Sequence, residues 1–403
     1  MSYIKKGSTE FKKANIALFA GGFSTFAVLY STQPLLPYLS HDFHISPAAA
    51  SLSLSATTIS LALSLLIVGS LSEAWGRKII MTFSMFSASI LAILTGFSPN
   101  FHVLLALRIL QGFALSGLSA IAMAYLGEEI DKKSLGIAMG MFISGNSLGG
   151  MFGRITIGII TDILNWRAAL CGVGVLSLLA SILFVIELPD SKNFNPRTLD
   201  IGKLYKSMLN HLKNPSLLCL YGIGFLLLGS LVSLYNYIGF QLIAPPYSLS
   251  PSLVGFIFIL YLMGTFSSTW MGQKADKHGK YKLLLSALII MFAGAAITLS
   301  ASLIMKIAGI ALLTFGFFGG HSIASSWVGL LASHDKAQAS SLYLFFYYIG
   351  SSIGGTAGGT FWSSFGWCGV VAMIICFIIL ALLLLTKLSQ KNLDKIISSK
   401  EYN

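Results

Sequence analysis

The sequence predicts an all-α membrane protein, with twelve transmembrane helices arranged as two pseudo-symmetric six-helix bundles. Three observations predict it: composition, the spacing of apolar runs, and the placement of Lys and Arg. The 403 residues are 55% hydrophobic and 10% charged, with a mean hydropathy of +0.80. Soluble domains carry about 25% charged residues, so an ordinary globular enzyme or binding module is excluded. A disordered or collagen-like chain is excluded as well, because Leu, Ile and Phe are abundant and no three-residue Gly period runs through the sequence. Cys171, Cys219, Cys368 and Cys376 sit in apolar runs without ligand-like spacing. They read as packing residues, and neither a disulfide framework nor a metal centre is expected.

A helix needs about 20 apolar residues to cross the hydrocarbon core. Runs of that kind occupy 15–39, 49–71, 79–97, 103–126, 135–161 and 168–187 in the first half. The second half supplies 216–242, 253–272, 281–302, 307–331, 338–363 and 368–386. The first run follows Lys5, Lys6, Lys12 and Lys13 and is too long for a signal-peptide core, so a retained span is expected. The longest polar stretch, 188–215, contains Pro189, Pro196 and Pro215. It divides a bundle at 15–187 from one at 216–386, with tails at 1–14 and 387–403.

Charge placement fixes the expected orientation. With the N-terminus inside, 22 of the 26 Lys and Arg fall in inner segments. Only Arg167 and Lys306 fall in outer loops, and Arg108 and Arg154 lie within spans. A miscounted helix would swap every later loop to the wrong side. The expectation is a multi-pass protein of the cell (inner or plasma) membrane with both termini cytoplasmic. The net charge of +12 is then topology, aided by anionic lipid, and nucleic acid is not an expected partner.

The halves repeat each other. Gly69, Glu73, Gly76 and Arg77 recur as Gly272, Asp276, Gly279 and Lys280, shifted by 203. The run Gly145-Asn146-Ser147-Leu148-Gly149-Gly150 recurs as Gly350-Ser351-Ser352-Ile353-Gly354-Gly355, shifted by 205. Tyr30 pairs with Tyr235, and Ile45-Ser46-Pro47 with Leu249-Ser250-Pro251. Parallel repeats of this size mark transporters whose substrate site lies between two bundles.

On these residues the chain resembles the major facilitator superfamily along essentially its whole length. Gly69 to Lys78 is similar to the family's G-x-L-a-D-r-x-G-R-[RK] loop, and Gly272 to Lys280 is its second copy. Arg108-Ile109-Leu110-Gln111-Gly112 resembles the span-four R-x-x-q-G signature, and Gly145 to Gly150 the span-five signature of antiporters. Tyr30, Gln33-Pro34-Leu35-Leu36-Pro37, Gly145-Asn146-Ser147, Gly153-Arg154 and His321-Ser322 together resemble the YnfM-type branch, near arabinose-efflux and drug-efflux proteins. Glu73, Ala74 and Asn146 depart from the family patterns, Asn146 standing where the antiporter signature has a kinking Pro.

The loop repeats read as a conformational latch, with Glu73 holding Arg77 or a neighbouring helix end; the alternative is a plain positive-inside loop. Arg108 and Arg154 must face the bundle interior, since a cation in lipid is costly. Each reads either as a coupling or substrate group or as a static inter-helix bond. Asp162 reads as the cap of its own helix exit beside Trp166 and Arg167, or as a titrating partner. His321, near the middle of span ten, is the expected intramembrane proton carrier, with a packing role as the alternative. His41 and His44, flanking Asp42, read as solvated loop residues. Tyr30, Gln33, Tyr235, Asn236, Tyr237, Trp327, Tyr347 and Tyr348 are candidate cavity groups: by the resemblance, spans one, four, seven and ten line a cavity, and apolar walls with a few polar groups suit an amphipathic solute. Gln111, Gly112, Gly145, Asn146, Gly149, Gly150, Gly350, Gly354 and Gly355 read as a helix-packing set that permits sliding contact between rocking bundles.

No carboxylate accompanies the intramembrane cations, so a neutral, zwitterionic or anionic solute fits better than a cationic one. The expected function is export of a small organic solute in exchange for protons by alternating access. Its driving force is an ion gradient, because no G-x-x-x-x-G-K-[ST] loop is present and no cofactor is expected. The expected partners are a small-molecule substrate and the bilayer, with the chain acting as a monomer. An uptake symporter or uniporter for a sugar or small metabolite is the nearer alternative, and a membrane-embedded transferase the distant one. The transferase would use Glu128-Glu129-Ile130-Asp131, which reads instead as a solvated turn.

Overall fold

The computed structural model describes residues 3–194, 201–332 and 334–401; Pro196 and Arg197 of the expected linker lie outside them. Among the described residues, eleven helical stretches are long and apolar enough to cross a membrane. Six belong to the first half: Thr9–Asp42, Pro47–Gly69, Arg77–Gly96, Phe101–Glu129, Leu135–Ile163 and Trp166–Glu187. Five follow: Pro215–Ile243, Pro251–His278, Lys280–Ile297, Leu303–Leu331 and Lys336–Leu388. The last has 53 residues, which as one straight helix would reach about 80 Å against a hydrocarbon core of about 30 Å. Gly366, at φ 59° and ψ −146°, interrupts it. Two spans therefore share that stretch, and the count is twelve.

Local chemistry explains most helix ends. Ser46 and Ser250 cap spans two and eight, each accepting from the amide three residues on and each followed by Pro at the first helical position. Asn100 and Asn165 likewise accept from the amide three residues on, at the starts of spans four and six. Gly76 (φ 100°) and Gly279 (φ 93°) turn the chain between spans two and three and between eight and nine. That conformation is costly for any residue with a Cβ. Span nine stops at Ile297, five residues before the expected 302, because Thr298 turns its hydroxyl onto the Ala295 carbonyl and ends the helix. Span one is not continuous. Its helix ends at Leu29, and a short 3-10 turn at Gln33–Leu35 precedes a second helix at Leu36–Asp42, where Pro34 and Pro37 cannot continue the ladder.

The chain folds as two compact units. The first takes residues up to Leu199 together with Leu242–Ile259; the second takes Asp200–Gln241 and Leu260 onward. The stretch 242–259, inside the range 216–386 expected for the second bundle, packs with the first unit for a local reason. A Cβ on Gly158 of span five would stand 2.8 Å from the Pro251 carbonyl and 3.0 Å from the Gly255 Cα. One turn on, Asp162 accepts hydrogen bonds from Ser250 and Ser252.

Glycine stripes clasp helices inside each unit. Gly145, Gly149 and Gly153 face the backbone of Phe19, Phe23 and Ala27, so a Cβ at any of them meets main chain. In the second unit Gly350 and Gly354 face Phe225 and Gly229 in the same way, and Gly358 faces the Tyr237 ring. The glycines do not form the expected sliding surface between bundles. These glycines lie within a unit, where they bring span five onto span one and span eleven onto span seven. Gly112 lets span four cross span two at Thr57 and Ser60, while Gly150 leaves room for the Arg154 side chain.

Candidate functional site

The first unit holds two buried arginines on either side of the break in span one. Arg108 is wholly buried. Its Nη2 donates to the Leu29 carbonyl (2.7 Å), Nη1 to Val28 (3.2 Å) and to the Gln111 side chain, and Nε to the Ser53 carbonyl (2.8 Å). Gln111 in turn donates to Ala88 (3.2 Å). These acceptors are two carbonyls at the end of the first helix of span one, of which the Val28 carbonyl also takes the Ser31 amide, together with the Gln111 side chain and a carbonyl of span two. Of the two readings left open for Arg108, the geometry favours the static bond.

Arg154 meets the other side of the break. Its Nε donates to Gln33 Oε1 (2.7 Å) and its Nη1 to the Gly150 carbonyl (2.5 Å). The guanidinium lies 4.1 Å from the Tyr30 ring centroid and 4.8 Å from that of Phe258, a cation held between two aromatic faces. Tyr30, Gln33 and Arg154 thus come together. Phe258 has no sequence signal, since it reaches the site only because the start of span eight packs on the first unit.

In the second unit the cluster forms around His321. Phe317 and His321 are one turn apart on span ten, as are Tyr343 and Tyr347 on span eleven, so each pair shares a helix face. The His321 ring stacks on Tyr347 at 4.4 Å, and its Nδ1 lies 2.9 Å from the Tyr343 hydroxyl. Gly224 makes space for the Tyr343 ring, which a Cβ there would approach to 2.7 Å. Tyr348 joins through an edge contact with Tyr347. Tyr343 escaped the sequence reading although its four-residue spacing from Tyr347 is visible there. Tyr235 stands in a second cluster, bonded to Thr314 (2.9 Å) and tilted against Tyr261 (5.1 Å). Tyr237 bonds the Gly355 carbonyl (2.5 Å) and stacks near Trp362, which makes it a packing residue. Asn236 is buried, and Trp327 is buried near the end of span ten, outside both clusters.

Two further expectations change. Asp162 holds the start of span eight through Ser250 and Ser252 and does not cap its own helix exit. Trp166 donates instead to Asp42 (2.6 Å), and Arg167 to the Ser98 carbonyl (2.6 Å). In the loop motif, Glu73 is the weaker partner of Arg77, at 3.8 Å. Glu128 takes the guanidinium with both oxygens, at 2.7 and 3.2 Å, and Ser72 accepts from it at 2.5 Å. Glu129, nearly unexposed, accepts from the Asn193 amide at 2.9 Å. The 128–131 stretch is therefore no solvated turn, because span four stays helical to Glu129 and carries both acids against neighbouring segments. In the second copy Lys280 bonds Asp276 (3.3 Å) and Ser326 (2.9 Å). Gly69 serves by its carbonyl, which accepts from Ser72 at 2.6 Å, and Gly272 lies against Ser322. Among the described residues no group of three or more metal-ligating side chains converges, His41 and His44 included.

Twelve spans in two repeated halves, with buried cations facing helix breaks and aromatic rings, define a polytopic membrane protein of the transporter class. Residues 18–320 match the Major Facilitator Superfamily, and the chain belongs to that family as a membrane transporter of the YnfM-like kind. It is 56% identical over 382 residues to the "Uncharacterized MFS-type transporter YybF" of Bacillus subtilis (strain 168), covering 95% of each chain. It is 43% identical over 389 residues to the "Inner membrane transport protein YnfM" of Escherichia coli (strain K12), covering 96% of this chain and 93% of that one. Among solved structures it is similar to a bacterial homolog of the human lysosomal transporter Spinster, inward-facing and unoccupied. There the TM-score is 0.76 at 15% identity, over 96% of this chain and 98% of that one. The nucleoside transporter NupG gives a TM-score of 0.75 at 14% identity, over 94% and 99%. At such identities the likeness is one of fold.

Proposed function

We propose that the protein exports a small organic solute in exchange for protons by alternating access, acting as a monomer in the cell membrane with both termini cytoplasmic. The solute is neutral, zwitterionic or anionic: a metabolite, drug or chelator with an amphipathic body. One observation carries the choice of charge. Among the described residues, every Asp and Glu in a span lies in its first or last turn, whereas Arg108, Arg154 and His321 lie deeper. Arg154, between Tyr30 and Phe258 and bonded to a neutral amide, is the group best suited to a carboxylate or other polar head. His321 is the proton carrier in this reading, since imidazole titrates nearest physiological pH, and Tyr343 fixes its ring.

Untargeted comparison of metabolites in medium from cells with and without the protein tests the assignment. A solute that accumulates outside only with the wild-type protein, and not with His321→Ala, supports proton-driven export. In loaded vesicles, collapse of the pH gradient abolishes concentrative efflux. Persistence of that efflux would refute the coupling, and transport of a lipophilic cation unaffected by Arg154→Ala would refute the solute class.

A further inference from the structure

Outside the spans, the second unit carries an ionisable cluster at the helix Ile201–Leu212, apart from the groups of the candidate site. The helix Ile201–Leu212 follows the linker, and His211 in its last turn is only 3% exposed. Its ring stacks on His334, in the connection between spans ten and eleven, with centroids 4.7 Å apart and planes 23° apart. Its Nε2 lies 3.3 Å from the Asp335 carbonyl, which only accepts, so Nε2 carries the hydrogen. One turn earlier, Ser207 donates to the Asp335 carboxylate at 2.6 Å, and His334 Nδ1 stands 3.4 Å from the same oxygen. Asp335 holds a φ of 43°, a conformation few non-glycine residues adopt, so the connection is shaped to meet the helix.

We propose that His211, His334 and Asp335 form an acid-sensitive latch that docks the 201–212 helix on the second unit at neutral pH and releases it when that face acidifies. Docking leaves the His211 ring nearly without solvent and in contact with a second imidazole. A proton taken from solvent at its Nδ1 would place a cation there, stacked against the face of the His334 ring. The charged groups acting on the ring are His334 and Asp335. Lys206 and Lys213 on its own helix, and Lys336 after Asp335, are exposed to solvent.

The sign follows from the two states. Burial and the neighbouring His334 lower the His211 proton affinity when the helix is docked, whereas the undocked ring titrates near its ordinary value of about 6.5. Docking is therefore strongest above that pH and weakens as pH falls below it, by up to about tenfold per pH unit until the docked ring itself is protonated. Hydrogen bonds from Ser207 and His334 hold the Asp335 carboxyl below the usual range, so its charge stays constant through this window. If proton uptake drives export, protons delivered to this face would release the helix, and the latch would report on accumulated turnover.

Amide hydrogen exchange of the full-length protein in lipid nanodiscs tests the latch, with labelling times scaled for intrinsic exchange between pH 5.5 and 7.5. The expected result is a loss of protection in the 205–212 peptide below about pH 6.5, at least several-fold by pH 5.5, while peptides within the spans hold theirs. His211→Gln keeps a donor for the Asp335 carbonyl without a titrating ring, and its profile should be flat. His334→Ala removes a neighbour that lowers the proton affinity of the docked ring, so its loss of protection should be shallower, with the same onset. Equal wild-type protection at pH 5.5 and 7.5, or a wild-type profile in His211→Gln, overturns the proposal. Should His211→Gln leave the helix unprotected at every pH, His334→Ala decides: a profile superimposable on wild type overturns the latch as well.

Discussion

Arg108 and Arg154 are both buried in the first unit, yet their surroundings give them different work. Arg108 is saturated by carbonyls of spans one and two and by Gln111. Replacing it with Met leaves the Leu29 carbonyl, opened by the helix break, without its donor. That costs about 1–3 kcal/mol for the orphaned acceptor alone, so Arg108→Met should lower the thermal unfolding temperature in detergent whether or not solute is present. Arg154 leans on two rings, the Gln33 amide and the Gly150 carbonyl of its own helix, and Arg154→Met should alter flux more than it alters unfolding. A similar contrast separates the acids around Arg77. Glu128→Gln removes the bidentate partner and should reduce transport more than Glu73→Gln, whose carboxylate stands at 3.8 Å; equal losses in a vesicle flux assay would count against the geometry.

At the scale of elements, the glycine stripes make a graded prediction. Gly149→Ala and Gly354→Ala drive a methyl into the backbone of the partner helix, so each should destabilise its bundle by about 1–3 kcal/mol, the range for overpacking. Gly136→Ala meets open space and should be neutral or gain up to about 1 kcal/mol from helix propensity. Denaturant or thermal melts of the three variants rank them directly. The stripes were legible in the sequence as a repeat at four-residue spacing, but which helices they joined was not, because a small residue announces a close approach without naming the neighbour. The break in span one was legible in principle through Pro34 and Pro37. Hydropathy averages over such a turn, and the run 15–39 reads as continuous. The acids at 128 and 129 were misread for a related reason: a charged helix end beside two lysines looks solvated until the facing segments are in place.

For the whole molecule, orientation is the quantity to measure. Single cysteines at Lys192 and Lys277, in a variant lacking the four native cysteines, should react only with reagents admitted to the cytoplasm, and cysteines at Asn100 and Ser302 only from outside. Opposite sides for Lys192 and Lys277 would overturn the topology on which the transport reading rests. Span count and repeat were readable because hydrophobic length and charge bias are summed over many residues. Phe258 beside Arg154 was not, because it arrives through packing alone, and Tyr343 beside His321 was signalled only by its four-residue spacing from Tyr347. The two exceptions to the charge bias also find their explanation in packing: Arg167 and Lys306 each donate to carbonyls at the end of the third helix of their half, at 2.6 Å, beside a Trp. The glycine contacts carry one last consequence. Helices clasped main chain to main chain have no side-chain cushion in which to shear, so each such pair must travel as a single beam. A spin label on span one then reports the displacement of span five, and a label on span seven that of span eleven.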